Sequence, residues 1–167
     1  MVSRKIPVKT RCGASHAPIA KNTRIALAVS QFNRDISGAL QKSCEQELIR
    51  QGVQPKNIKT VWVPGAFELP WACQQLASAK KADAVIALGA VIRGETPHFD
   101  CVAFGAALGI MKTNLSSSIP IIFGVLTTDT VAQARDRIRG GKRGDKGVEF
   151  ACAALQMINL KSKISNA

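Results

Sequence analysis

Four short apolar runs, each followed by a segment of helical period, constrain the fold of this chain more than any other feature of its sequence. The runs lie at residues 25–30, 58–63, 83–92 and 121–125. The predicted helices cover about 35–51, 67–79, 97–115, 130–138 and 145–160. Strands that are apolar on both faces and alternate with helices form a parallel sheet with right-handed crossovers. The sequence therefore predicts an α/β fold, a three-layer α/β/α sandwich around a four-stranded parallel sheet.

The carboxyl ends of the four predicted strands carry the candidate site. In an open parallel sheet these ends lie at one edge, where ligands bind. The segments at these ends are Phe32-Asn33, Gly65 to Glu68, Val91 to His98 and Phe123 to Thr127. Together they supply aromatic rings, small residues, a carboxylate and one histidine. Such a set predicts a slot for a flat polar ring with an anion site beside it.

Two residues of this edge have alternative interpretations. Phe32 stands among polar neighbours in a predicted loop, which favours ring stacking with a ligand over simple packing. Glu68 lies in the first turn of a predicted helix, where a carboxylate also stabilises the helix dipole. By itself that structural role would suffice for Glu68.

The segment from Gly94 to His98 combines a turn with a predicted helix start. Gly94 allows close backbone approach, and Thr96 is predicted to cap the helix. The free N–H groups of a helix start bind anions, and a histidine beside them can transfer protons near neutral pH. A turn glycine with a cap, and a surface or capping role for His98, remain open as purely structural explanations.

The net charge of +12 is concentrated in three places, and the remainder of the chain is balanced. Residues 1–24 hold six basic groups and no acid, the link 135–146 is basic and glycine-rich, and Lys161 and Lys163 follow near the end. No aromatic residues are interleaved with these basic groups, so specific nucleic-acid binding is disfavoured. The basic link could contact phosphate through arginine or be a solvated loop. We expect residues 1–23 to form a basic arm and 24–167 one domain.

Cysteine and histidine usage argues against a metal site. The five cysteines and two histidines are scattered, with no ligand spacing typical of zinc and no C-x-x-C pair. An odd number of dispersed cysteines favours reduced thiols and a cytoplasmic location. No apolar run approaches the roughly 18 residues that cross a bilayer, so we expect a soluble protein with no membrane contact.

Taken together, six segments of this chain resemble the lumazine synthases of riboflavin biosynthesis, in the order and spacing of that family across roughly residues 24–160. The segments are Phe32-Asn33, Val63 to Pro70, Gly89 to Asp100, Phe123 to Thr127, Gln133 to Arg137 and Lys146 to Glu149. The resemblance implies a flavodoxin-like fold. It also implies condensation of 5-amino-6-(D-ribitylamino)uracil with 3,4-dihydroxy-2-butanone 4-phosphate to 6,7-dimethyl-8-ribityllumazine, with no cofactor and no metal.

The same resemblance assigns residues to the pyrimidine substrate. Phe32 would stack on its ring, and Glu68 would hold the ribityl hydroxyls. The residues implied to bind this substrate are Phe32, Asn33, Ala66, Phe67, Glu68, Val91, Ile92, Phe123 and Lys146. Of these, Phe123 and Lys146 would come from a neighbouring subunit.

For the phosphate substrate, the resemblance implies a seat at Gly94, Glu95 and Thr96. Arg137 would reach the phosphate from the neighbouring subunit, and His98 would move protons as the catalytic residue. A catalytically idle lumazine- or flavin-binding relative, and a shell protein that uses its basic arms, are the alternative functions. Intact His98 and Arg137 argue against the idle relative.

The resemblance also implies self-association into homopentamers, with decamers or 60-subunit shells as larger assemblies and with association with riboflavin synthase as a further expectation. The small predicted sheet and the apolar helix at 97–115 independently favour oligomerisation. The link between Arg137 and Lys146 is about a residue longer than in shell-forming relatives, and Asp145 stands where asparagine is common. Both departures favour a free pentamer or a pair of pentamers.

Overall fold

A computed structural model describes residues 22–166 of the chain. The strands are β1 (Ile25–Ser30), β2 (Ile58–Val63), β3 (Ala84–Ile92) and β4 (Ile121–Thr128). The helices are α1 (Arg34–Arg50), α2 (Leu69–Ser78), α3 (His98–Ser116), α4 (Val131–Arg135) and α5 (Lys146–Ser165), with short 3₁₀ turns at Pro55–Asn57 and Ala66–Glu68. All strand pairs are parallel, in the order β2-β1-β3-β4. The predicted four-stranded α/β/α architecture is confirmed.

Alternate residues of the central strands enter two separate cores, one on each face of the sheet. Ile25, Leu27 and Val29 of β1 pack with α1 and α5, whereas Ala26 and Ala28 pack with α2 and α3. Side chains of successive strand residues point to opposite faces, and both faces here are covered by helices. This explains why the strands are continuous apolar runs in the sequence.

The ends of several elements differ from those expected. β4 continues three residues beyond Val125, because pairing with β3 extends to Ile92 opposite Thr128. α4 ends at Arg135, and α5 continues to Ser165. The predicted start of α2 at Phe67 is a 3₁₀ turn, and the α-helix begins at Leu69, with Pro70 in its first turn. Proline fits there because the first helical N–H groups need no intrahelical partner.

The cysteines conform only in part to the expectation of reduced thiols. Cys44, Cys73 and Cys101 are free, whereas Cys152 is disulfide-bonded. The expectation of reduced thiols therefore holds for these three cysteines and not for Cys152. Burial raises the pKa of the Cys73 thiol to about 12, so this side chain stays protonated as part of the apolar core.

Between residues 22 and 166, no helix is long and apolar enough to cross a membrane. The predicted basic arm, residues 1–23, falls almost wholly outside the described part of the chain. The proposed domain boundary at residue 24 therefore stays a prediction.

α3 carries a wide apolar surface that the described residues leave exposed. Only Ala106 and Ile110 of its side chains are fully buried. Phe104 is 70% exposed and Leu115 is 80% exposed, with Met111 also open to solvent. Exposed apolar surface of this extent on one helix is typical of a surface that contacts another protein.

Candidate functional site

A cavity of about 670 Å³ lies at the carboxyl edge of the sheet, where the sequence predicted a site. Ten of the predicted site residues line this cavity: Phe32, Asn33, Ala66, Phe67, Glu68, Val91, Ile92, Gly94, Thr96 and His98. They come from separate segments after β1, β2 and β3. The fold thus brings together most of the residues that the sequence proposed.

The loop after β1 is fixed in the cavity wall by Asn33. This residue has a left-handed backbone conformation with φ 55°, which asparagine tolerates better than most residues. Its side-chain Nδ2 donates to the Ala90 carbonyl oxygen at 2.9 Å, joining the end of β1 to β3. The backbone N–H of Phe32 donates to the Pro64 oxygen at 3.1 Å. The Phe32 ring itself is 71% exposed, so it is available to stack on a ligand.

Two glycines of α3 determine how closely the Ala66–Glu68 turn approaches that helix. A Cβ at Gly105 would lie 2.5 Å from Cε2 of Phe67, and one at Gly109 would lie 2.6 Å from Cγ of Pro70. Any larger residue at either position would collide with these rings. These contacts hold the Ala66–Glu68 turn and the start of α2 directly against α3.

The turn before α3 is open and has few bonds of its own. Gly94, Glu95 and Thr96 make no hydrogen bond to any other residue that the structure describes. A Cβ at Gly94 would meet no atom within 4 Å. The prediction that Thr96 caps α3 is wrong. The cap residue is Pro97, no side chain bonds the first turn, and the Thr96 side chain lines the cavity instead.

Arg93 links this turn to two neighbouring segments, the first turn of α3 and the end of β4. Its Nη1 and Nη2 donate to the two carboxylate oxygens of Asp100 at 3.2 and 3.0 Å, and its Nε donates to Asp129 at 3.1 Å. The guanidinium also lies 4.2 Å from the centroid of the Phe99 ring. The backbone N–H of Arg93 donates to the Thr128 oxygen at 2.9 Å. Hydrogen bonds to Asp100 and Asp129 raise the pKa of Arg93.

The remaining predicted site residues do not line the cavity. Phe123 faces a separate groove of about 840 Å³ on the other side of the first turn of α3. Arg137 lies on the link before α5 and Lys146 is the first residue of that helix, where the Lys146 N–H donates to the Arg137 oxygen at 2.9 Å. Glu95 is exposed on the open turn. Within one chain, therefore, Phe123, Arg137 and Lys146 are apart from the ring slot.

Local bonds hold the cationic side chains of Arg137 and Lys146 in place. Nη1 of Arg137 donates to the Gln133 carbonyl at 2.8 Å, and Nζ of Lys146 contacts Glu149 at 2.6 Å. Asp145 caps α5 by accepting from the Gly147 N–H and also bonds Ser43 of α1. The two cations are thus joined through the backbone, one on the link and one at the start of α5.

The composition of the cavity wall indicates its chemistry. Its ionisable side chains are Glu68, His98 and Cys101, and no lysine or arginine is among the described residues that line it. The aromatic and apolar walls suit a flat ring, and the histidine suits proton transfer. An anionic ligand would need a cation from elsewhere. No group of three metal-ligating side chains is assembled anywhere within residues 22–166.

Sequence reasoning missed several residues of the wall. Cys101 and Val102 were not proposed, although they lie three and four positions after His98 on α3 and so share its helical face. Helical spacing from His98 would have identified both. Ala90 and Phe99 also line the cavity, together with Gly65 of the predicted edge. The positions of Ala90 and Phe99 follow from how β3 and α3 converge, for which the sequence carries no local signal.

Comparison with known proteins shows which family this chain is similar to. Residues 22–162 match the sequence model of the family described as 6,7-dimethyl-8-ribityllumazine synthase. Proteins named 6,7-dimethyl-8-ribityllumazine synthase from two strains of Thermus thermophilus are each 47% identical to this chain over 146 residues. That alignment covers 87% of this chain and 92% of each relative.

Proposed function

This chain belongs to the 6,7-dimethyl-8-ribityllumazine synthase family, and from that premise we propose that the cavity at the carboxyl edge of its sheet is the active site. The enzyme, a transferase, condenses 5-amino-6-(D-ribitylamino)uracil with 3,4-dihydroxy-2-butanone 4-phosphate. The products are 6,7-dimethyl-8-ribityllumazine, phosphate and water. The observation that carries the site proposal is the convergence of Phe32, Glu68 and His98 on one cavity.

The proposed binding mode of the pyrimidine follows from the cavity wall. The ring stacks on Phe32, whose face is open to solvent. Backbone groups of Ala66, Val91 and Ile92 bond its polar edge, while Glu68 accepts hydrogen bonds from the ribityl hydroxyls. The amide nitrogen of Asn33 is committed to Ala90, so Asn33 acts on the ring through the loop geometry it fixes. The Phe67 ring packs against Gly105 of α3 and thereby supports the turn.

The phosphate substrate is proposed to bind beside the ring at the open turn before α3. The N–H groups of Gly94, Glu95 and Thr96 have no other described partner and can donate to phosphate oxygens. The wall offers no cation of its own among the residues described. We therefore assign the balancing charge to Arg137 of a neighbouring copy, with Phe123 and Lys146 of that copy closing the ring slot.

The chemistry needs orientation and proton transfers more than any strong catalyst. The primary amine of the pyrimidine adds to the ketone and water leaves, giving an imine. Loss of a proton next to the imine expels phosphate and leaves an enol, which tautomerises to a ketone. The ribitylamino nitrogen then attacks this carbonyl, and loss of a second water closes the ring. His98 is the proposed group that takes up and returns these protons, while the walls hold both reactants in contact.

Assembly and location belong to the same proposal. The exposed apolar surface of α3 and the need for a cation from outside the cavity wall both support a ring of copies, and we propose a homopentamer with sites between neighbouring subunits. Larger assemblies and an association with riboflavin synthase remain expectations, as does the cytoplasm as the compartment.

Replacing Arg137 with alanine should raise KM for the butanone phosphate about tenfold or more, because a hydrogen bond to a charged group contributes about 1.5–3 kcal/mol. KM for the pyrimidine should change little. The measurement is a steady-state assay of lumazine formation by absorbance, with each substrate varied in turn. Wild-type protein that makes no product above the uncatalysed background would refute the site proposal itself.

Arg139→Ala is the matched control for this variant. Arg139 lies two residues further along the same link and bonds Gln46 of α1 at 2.8 Å. Its loss removes the same charge from the same basic link without touching the proposed phosphate contact. Equal changes of KM in the two variants would mean that the link acts only through its general charge.

A further inference from the structure

Arg93 stands directly before the open turn of the proposed site, yet it is not among the residues that line the cavity. It follows the last residue of β3, and its N–H extends the ladder to β4 by donating to Thr128 at 2.9 Å. The backbone at the start of the turn is therefore fixed. The other end of the turn is the first turn of α3, which contains His98.

The side chain of Arg93 bridges the two ends of this segment. Its Nη1 and Nη2 atoms bond the two carboxylate oxygens of Asp100, and its guanidinium lies over the Phe99 ring. A bidentate arginine–carboxylate pair fixes both distance and orientation. The eight-residue span from Arg93 to Asp100 is thereby closed into a loop. That loop contains the three free N–H groups and the imidazole of His98.

The same guanidinium also joins the loop to β4. Nε donates to Asp129, just past the end of that strand. Two carboxylates, 59% and 67% exposed, therefore share one arginine close to a proposed phosphate seat. Without Arg93 both would stand uncompensated there and would repel a phosphate dianion.

We propose that Arg93 is a positioning residue, a clasp that holds residues 94–98 in the shape that receives the phosphate and that places His98 beside the ring slot. This inference rests on the proposed function. Arg93 does not contact the substrate. It acts through the backbone of the turn and by neutralising Asp100 and Asp129.

The test compares Arg93→Ala with Arg24→Ala. Arg24 makes the same kind of exposed clasp at the opposite edge of the sheet, where it bonds both carboxylate oxygens of Asp83 and the Lys80 carbonyl. Arg24→Ala thus removes an equivalent arginine–aspartate pair far from the cavity. Any general effect of losing such a pair should therefore appear in both variants.

Arg93→Ala should raise KM for the butanone phosphate about tenfold, because small displacements of a positioned group have effects of this size or larger. The inhibition constant of inorganic phosphate should rise in parallel, while KM for the pyrimidine stays within about twofold. Arg93→Lys should be intermediate, because an ammonium keeps the charge but cannot form the fork or reach both carboxylates. Arg24→Ala should leave all three constants unchanged.

Circular dichroism and denaturant unfolding show whether each variant is folded. If Arg93→Ala fails to fold, Arg93→Lys alone carries the test through the same two phosphate-dependent constants. The proposal for Arg93 would be overturned if a folded Arg93 variant kept both KM values and the inhibition constant of phosphate unchanged. Equal changes of KM for the two substrates would also overturn it. A wild-type protein without synthase activity would instead remove the proposed function on which the clasp rests.

Discussion

Replacing His98 with alanine is expected to lower kcat about a hundredfold while both KM values stay within a few-fold of wild type, because general acid–base catalysis contributes about 10²–10⁴ in rate. His98 is the only imidazole in the cavity wall among the residues described. The two substrates remain oriented without it, so turnover persists above the uncatalysed background. Product absorbance under saturating substrates gives kcat directly. An unchanged kcat would remove the histidine from the mechanism.

The His98 variant also tests whether the site is shared between copies. His98 lines the cavity of its own chain, whereas Arg137 lies apart from it on the link before α5. We expect that co-expressing His98→Ala chains with Arg137→Ala chains restores activity beyond that of either variant alone. Random assortment in a symmetric ring gives about one quarter of the sites both wild-type residues.

Two differently tagged chains allow the mixed assemblies to be purified before the assay. The control is a mixture of the two variants assembled separately, in which no site can hold both wild-type residues. If the co-assembled sample is no more active than this control, Arg137 does not act across a subunit boundary. In that case the phosphate seat would need a different cation.

Substituting alanine for Gly147 should destabilise the protein by about 1–3 kcal/mol, the usual effect of forcing extra volume into a packed contact. Gly147 lies in the first turn of α5 against α1. A Cβ there would be 2.6 Å from the Leu40 carbonyl oxygen and 2.8 Å from Cβ of Ser43. Backbone cannot move aside as a side chain can, so the two helices must separate. The free energy of unfolding in denaturant measures the effect at a fixed subunit concentration.

Gly38→Ala is the matched control, because it makes the same chemical change within α1. The nearest atom to a Cβ at Gly38 is Cη2 of Trp62 at 4.0 Å, an ordinary contact distance. Alanine favours a helix over glycine by about 0.5–1 kcal/mol, so this variant should be more stable than wild type. Stabilisation of similar size by both substitutions would show that α1 and α5 are packed less closely than described.

The effect of Gly147→Ala on binding should be concentrated on the neighbouring link. Asp145 and Lys146 stand immediately before Gly147, and the Lys146 N–H is bonded to the Arg137 oxygen. A displaced α5 therefore moves both cations that the proposed site takes from a neighbour. The packing of α5 against α1 should therefore affect the phosphate affinity of the proposed site at the carboxyl edge of the sheet.

The contacts of Arg93 and the position of the α3 cap were not predicted from the sequence. Arg93 meets Asp100 seven positions on and Asp129 thirty-six positions on, and only the second of these depends on β4 lying beside β3. Thr96 was expected to cap a helix, but Pro97 takes the cap position and Thr96 lines the cavity. The bond from Arg93 to Asp129 therefore depends on tertiary structure, whereas the position of the cap is decided by an adjacent residue.

The sequence by itself determined the number and placement of the strands, the layered α/β architecture and the edge of the sheet at which a site would lie. These follow from periodicity, because strands covered on both faces must be apolar at every position and their carboxyl ends share one edge. Only the tertiary structure decided which residues line the cavity, that Arg93 bonds both Asp100 and Asp129, and that the described wall lacks a cation of its own. Those facts depend on distances between segments far apart in the chain, and such distances are set by packing of the whole fold rather than by any local pattern.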